Sequence, residues 1–357
     1  MSHRRFLREV KCAQHADAVR ARAYANFVGC VIVVGLLLVF ASSRDGRATP
    51  THMRATAATP ARDSLAKTWL EMKNVNLRVA DNAVVGIRQL RGEVIPTRAG
   101  TSALLDSTSS FSIRITSGSV AISSADLGVI LNRFVFGYRG SPLHDLHVRM
   151  EGTQLIQTGV MHKGVDLKFE ITSTPTLTDS GWIKLSPNKV RVLGVNGQAL
   201  LHALGLHLDN MLNLNRSAAA RVHDDDIYLD PTKILPPPAI IGRLASVKVE
   251  GDALVQEFER LPDDTLFSGY ARPDSAAPNY LFFRGGHLRF GRLEMTDTQL
   301  QILDLDPSDP FDLFLAEYNK QLVAGYSRNR PNLSLQAFFP DFTDIGRSTQ
   351  LPIVARR

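Results

Sequence analysis

From Ser64 onward the chain alternates apolar and polar positions in short runs. VNLRV sets Val75, Leu77 and Val79 on one side, FSIRI does the same with Phe111, Ile113 and Ile115, and AVVGIRQLRGEVIPT between them adds further apolar runs. A period of two residues predicts strands with one buried face, and a single dry face favours antiparallel pairing. The period then changes. In SSADLGVILNRFVF, residues 123–136, Leu127, Ile130, Leu131, Phe134 and Val135 share one face at helical spacing. Ser124 is the expected N-cap, and Asp126 lies near the positive end of the helix dipole.

Alternation resumes over residues 143–195, punctuated at Glu151-Gly152, Lys163-Gly164, Asp179 to Gly181 and Pro187-Asn188. Val165, Leu167, Phe169 and Ile171 oppose Asp166, Lys168 and Glu170, which predicts a meander with one dry and one wet side. A second helix is expected at 197–214, where Leu200, Leu201, Leu204, Leu208, Met211 and Leu212 make a broad apolar face behind Asn196 as a cap. DDIYLD reads as a strand, and ILPPP as a loop stiffened by prolines and kept out of a sheet interior. ASVKVEGDALVQEF reads as a hairpin. After a break at 262–278, NYLFFRGGHLRFGRLEMTDTQLQILDLD supplies more strands. DPFDLFLAEYNKQLVAGYS is expected to form a third helix, with Asp309 as N-cap, Pro310 in its first turn and Gly325 near its end.

Charge changes the picture at the N-terminus. Ten of the 41 Lys and Arg but four of the 35 Asp and Glu precede Ser64, leaving 31 of each sign after it. The region beyond Ser64 therefore has no basic field for phosphate backbones, and nucleic acid is excluded as an expected partner. The uncharged run FVGCVIVVGLLLVFA follows Arg4, Arg5, Arg8, Lys11, Arg20 and Arg22. By the positive-inside tendency the basic end stays in the cytoplasm and the remainder is exported, either on an uncleaved anchor or after cleavage near Ser43. Residues 44–63, small, polar and Pro-bearing, read as a tether. Both cysteines, Cys12 and Cys30, precede the exported region, which can hold no intrachain disulfide, thiolate metal site or Cys nucleophile.

Candidate chemistry is sparse. HDDD at 223–226 could ligate a divalent cation or form an acidic turn before IYL. DLDPSDP from Asp304 resembles the opening of a calcium loop but lacks the sixth-position Gly and has Leu315 where a bidentate Glu is needed. SLAK, Ser64 to Lys67, matches a Ser-x-x-Lys string without its downstream partner motifs. His144 and His147 are read as surface residues, and Arg284, Arg289 and Arg292 as a solvated strand face or a greeting for phosphate headgroups. No catalytic residue, metal ligand or cofactor is assigned.

Residues from about 118 to 258 resemble bacterial LmeA-like phospholipid-binding proteins of the tubular lipid-binding superfamily. The likeness rests on the order of GSVAISSADLGVILNRF, SPLHDLHVRMEGTQLIQTGVMHKGVDLKFEIT, WIKLSPNKVRVLGVNGQALLHALG and VKVEGDALVQEF. MKNVNLRVADNAVVGIRQLRGEV also looks like the strand repeats of AsmA-like envelope proteins. The resemblance implies an α+β fold, a curved antiparallel sheet wrapped around long amphipathic helices, with acyl chains in the channel between them. The ILPPP loop and the residues after Phe258 depart from that pattern.

The expected organisation is a basic leader at 1–26, a membrane segment at 27–43, a linker at 44–63, a lipid-binding-like domain at 64–261 and a C-terminal extension at 262–357. The apolar faces expected to line a channel carry Leu127, Ile130, Leu131, Phe134, Leu200, Leu204 and Leu208. The same faces suit an ordinary dry core. The expected function is an extracytoplasmic, membrane-anchored protein that shields the acyl chains of a phospholipid or similar lipid. The alternatives are an envelope scaffold with a protein partner on its C-terminal region, and a hydrolase of envelope lipids or glycans.

Overall fold

Alternating apolar positions close two sheets around a shared core. A computed structural model describes residues 67–162, 164–192, 195–196, 214, 216–262, 274–330 and 334–346, and of these 58% are strand and 12% helix. The chain begins with β1 (Thr68–Ala80) and β2 (Ala83–Pro96), an antiparallel hairpin, then β3 (Ala103–Leu104) and β4 (Phe111–Ser123), which pairs with β2. Val75, Val85, Ile87, Ile113 and Ile115 point into the core and are almost wholly buried. The alternation read from the sequence is what decides that face.

Helix α1 (Ser124–Ile130) leaves the end of β4. Its N-cap is Ser123, one residue earlier than expected: the Ser123 Oγ accepts the Asp126 N–H at 3.1 Å and donates to the Asp126 carboxylate. The other Asp126 oxygen accepts the Val84 N–H at 2.8 Å, so the start of the helix is tied to β2. After just under two turns the helix widens into a π-turn at Leu131–Val135, closed by Phe136 N–H to Leu131 O at 2.8 Å.

The second sheet follows as the predicted meander of β5 (Leu143–Glu151), β6 (Gln154–His162), β7 (Asp166–Leu177) and β8 (Ile183–Val192). The short β9 (Val195–Asn196) pairs with β8, and β10 (Ala220–His223) with β11 (Asp226–Leu229) completes an order of β10-β11-β8-β7-β6-β5. Pro187 and Asn188 do not end a strand as the sequence suggested. They lie inside β8, opposite the register shift between Thr172 and Ser173, where an irregular ladder tolerates a missing donor.

The remaining strands return to the first sheet. β12 (Ala239–Ile241) runs parallel to β4, and the hairpin of β13 (Leu244–Glu250) and β14 (Ala253–Phe258) adds to the same strand through β14. On the far side β15 (Tyr280–Phe290) pairs with β1 and with β16 (Leu293–Asp304). β1 changes partner at Asn74, φ 51°, from β15 to the parallel β17 (Phe311–Leu313). β15 in turn bends at Gly285 and Gly286, φ 71° and 58°, so that its far half meets β3. A side chain at Gly285 would put its Cβ 2.7 Å from the Lys67 carbonyl. Helix α2 (Tyr318–Ala324), β18 (Tyr326–Asn329) and β19 (Leu335–Phe339) finish the sheet, with β19 parallel to β16. Strands from the 64–261 and 262–357 segments therefore belong to one sheet.

The α+β expectation with long amphipathic helices is overturned: among the described residues the two α-helices have seven residues each. For the first, the Asn132 amide draws the chain across to β5. It donates to Gly128 O at 2.8 Å and Leu146 O at 2.6 Å and accepts the Leu146 N–H at 2.9 Å. The expected second helix at 197–214 lies outside the described residues except for Leu214. The third begins as a strand instead, because Phe311 and Leu313 point inward while Asp312 turns to Arg78, an alternation hidden in a short apolar run. Gly325 does end α2. Helix α1 packs on β2 and on β5, and β13 packs on β7, so the sheets meet at both places.

Candidate functional site: an apolar cleft

The meander sets alternate side chains of each strand on one face, and that face of the seven-stranded sheet is not completely filled. Phe169 and Ile171 from β7, with Val190 and Val192 from β8, form its floor. Ile227 and Leu229 extend it on β11, while Leu143, Leu146 and Met161 close the side toward β5. Leu131 and Phe136 from the α1 π-turn and Leu214 complete the lining. All twelve of these are buried. The thirteenth liner is Gln157 on β6, half-buried. A void of about 30 Å³ lies within, against the roughly 10–15 Å³ one water needs. The unfilled space reaches about 640 Å³ once the open mouth is counted.

Gly159 shapes this wall. Added to it, a Cβ would stand 2.7 Å from the Leu146 side chain and 3.1 Å from the Phe169 ring. The missing side chain lets those two apolar groups close over β6, and a larger residue there would push both into the cleft.

The expected channel residues separate in three dimensions. Leu127, Ile130 and Leu131 are buried, at 2%, 0% and 1% exposure, but Leu131 alone among them borders the cleft. Phe134 is half-buried, beneath the Arg133 guanidinium 5.6 Å from its ring, and does not border it. Leu200, Leu204 and Leu208 lie outside the described residues, although Leu214, at the end of their segment, is a liner. Sequence reasoning passed over the strand residues that form the floor. Their signal was present in the dry side of the meander, in Phe169 and Ile171 above all.

The cleft carries no charged group among the described residues. Perturbed carboxylates sit elsewhere, around Asn279, whose amide donates to Asp304 at 3.0 Å and to the Asp309 carbonyl. Burial raises Asp304 to about 6 and Asp341 to about 7, and neighbouring carboxylates push the same way. Asp312 beside them is paired with Arg78 at 2.7 Å.

The other sequence motifs resolve into local structure. His223 to Asp226 make the β10–β11 turn, with Asp224 at φ 55° and Asp226 bonded to Lys184 at 2.6 Å. His144 contacts Asp145 at 3.0 Å and His162 contacts Asp166 at 2.7 Å, all exposed. Ser64 lies outside the described residues, and Lys67 reaches Glu93 at 3.3 Å. Arg289 bonds the Gly291 carbonyl at 3.1 Å on the β15–β16 hairpin, beside an exposed Arg292. Among the described residues no cluster of three metal-ligating side chains occurs, and no helix is long and apolar enough to cross a membrane. The run at 27–43 lies outside them. No family model, curated protein or solved structure matches the chain.

Proposed function

We propose that the protein binds an acyl chain of a membrane lipid in the cleft on the seven-stranded sheet. One observation carries this reading: among the described residues, twelve buried apolar side chains and one uncharged amide border a space that is left unfilled and partly open to solvent. An interior built only for stability closes such a space, since each methylene-sized void costs about 1 kcal/mol. An acyl chain recovers that loss. Each buried methylene contributes about 0.8 kcal/mol, so six along the wall supply about 5 kcal/mol before the cost of association. The enclosed part of the cleft is narrow, and chain entry requires its walls to part. The resemblance of residues 118–258 to LmeA-like proteins supports the same ligand class. In this reading residues 27–43 hold the protein at the membrane, with the sheets on the extracytoplasmic side, where they shield chains during lipid transfer or envelope maintenance.

The test is organic extraction and native mass spectrometry of the full-length chain purified from cells. The expected result is an acyl lipid in near-stoichiometric amount, lost when Val190→Phe fills the cleft. A protein that carries no lipid, and takes none from phospholipid vesicles, would overturn the reading.

A further inference from the structure

Gln157 occupies a position that the sheet reserves for apolar side chains. It pairs with Val148 on β5 and Ile171 on β7, and on β6 it shares its face with Leu155, Gly159 and Met161. Every other described liner is buried, whereas solvent still reaches Gln157. Its amide makes no hydrogen bond to any described residue, in contrast to Gln301, Gln321 and Asn132, whose amides are all bonded to backbone. Among the described residues its donor and acceptor are unused, which beside an apolar cleft is costly unless water or a ligand satisfies them.

We propose that Gln157 is the specificity-determining polar contact of the cleft, holding the ester group of a bound acyl chain. This rests on the acyl-chain reading above and adds the chemistry of the ligand. The Gln157 side-chain NH₂ donates to the ester carbonyl, and the hydrocarbon lies against Ile171, Val190 and Phe169. With no cation among the described liners, an ionised carboxylate or phosphate has no counter-charge in the cleft and stays outside it. The ligand is therefore an uncharged acyl ester, or a phospholipid inserted only as far as its ester.

The experiment uses the full-length chain in membrane vesicles with two photoreactive probes, hexadecane and methyl hexadecanoate, each bearing a terminal diazirine. Crosslinks to cleft peptides are quantified for wild type, Gln157→Leu and Gln157→Met, the second keeping the side-chain length. The ester probe is expected to fall about three- to tenfold in both variants, the factor that one net hydrogen bond supplies, while the hydrocarbon probe holds or rises. Equal behaviour of the two probes in the variants, including equal loss of both, overturns the role of the amide and leaves the cleft reading standing. Absence of cleft crosslinks from either probe in wild type overturns the cleft reading and this inference with it.

Discussion

Acidification from pH 8 to pH 5 is expected to stabilise this fold, the reverse of the usual effect of protonating paired carboxylates. The cause is the group around Asn279, which is 1% exposed and is itself bonded by Asn74 at 2.6 Å. Asp304, Asp309, Asp312 and Asp341 gather there with Arg78 bonded to Asp312. Asp341, 7% exposed, accepts the Asp312 N–H at 2.7 Å and is held at about 7, while Asp304 is held at about 6. In the unfolded chain both carboxyls return to about 3.9. Between those values the folded state keeps a proton that the unfolded state releases, so stability is present at low pH and is lost as pH rises through 6 and 7. With solvent screening included, the two groups together give about 2 kcal/mol between pH 5 and pH 8, against about 4 kcal/mol unscreened. Carboxylates held low, such as Glu250 between Lys248 and Arg88, lose their contribution only at more acidic pH and leave this window clear. Urea titrations at unit pH steps measure the slope directly. Asp341→Asn keeps the acceptor for the Asp312 N–H and should flatten most of the dependence. A wild-type stability that is constant or falls from pH 8 to pH 5 would refute the reasoning.

Other substitutions test how the cleft is held. Asp126→Ala removes the partner of the Val84 N–H and half of the reciprocal cap with Ser123, and should cost about 1–3 kcal/mol in chemical denaturation. Asn132→Leu leaves the Leu146 N–H and carbonyl without their partner, an expected loss of about 2–4 kcal/mol, with hydrogen exchange rising at β5 before β7. Leu131→Asp places a charge at a site 1% exposed and should destabilise by about 3–5 kcal/mol, seen as a lowered Tm. Phe134→Ala, away from the liners, should leave lipid retention in the extraction assay unchanged.

Periodicity along the chain already determined most of the side chains that face inward, although Val165, which it set on the dry side with Phe169 and Ile171, lies exposed just ahead of β7. Val75, Ile113 and Ile115 in the first sheet, and Phe169 and Ile171 in the second, are buried on the faces their spacing assigns them. The turns at Gly152, Gly164 and Gly251 follow from residues that adopt positive φ without strain. The apolar face of β7 and β8 that became the cleft floor, Phe169 and Ile171 with Val190 and Val192, was legible as the dry side of a meander. What the sequence could not convey was which strands become neighbours. β1 splits its edge between β15 and β17 at Asn74, and Phe311–Leu313 becomes a strand because β1 offers an unpaired edge there, a partner far away in the chain. Helix α1 stops after seven residues for a similar reason. The Asn132 amide finds the Leu146 backbone across the joint between the sheets, and no local pattern encodes that meeting. Gln157 reads as one more polar residue in a strand until the apolar side chains around it are seen to be buried and its amide unbonded to any described residue. Side-chain period is a property of adjacent residues, whereas pairing, burial and hydrogen-bond satisfaction are properties of the assembled chain, and only the tertiary structure decides them.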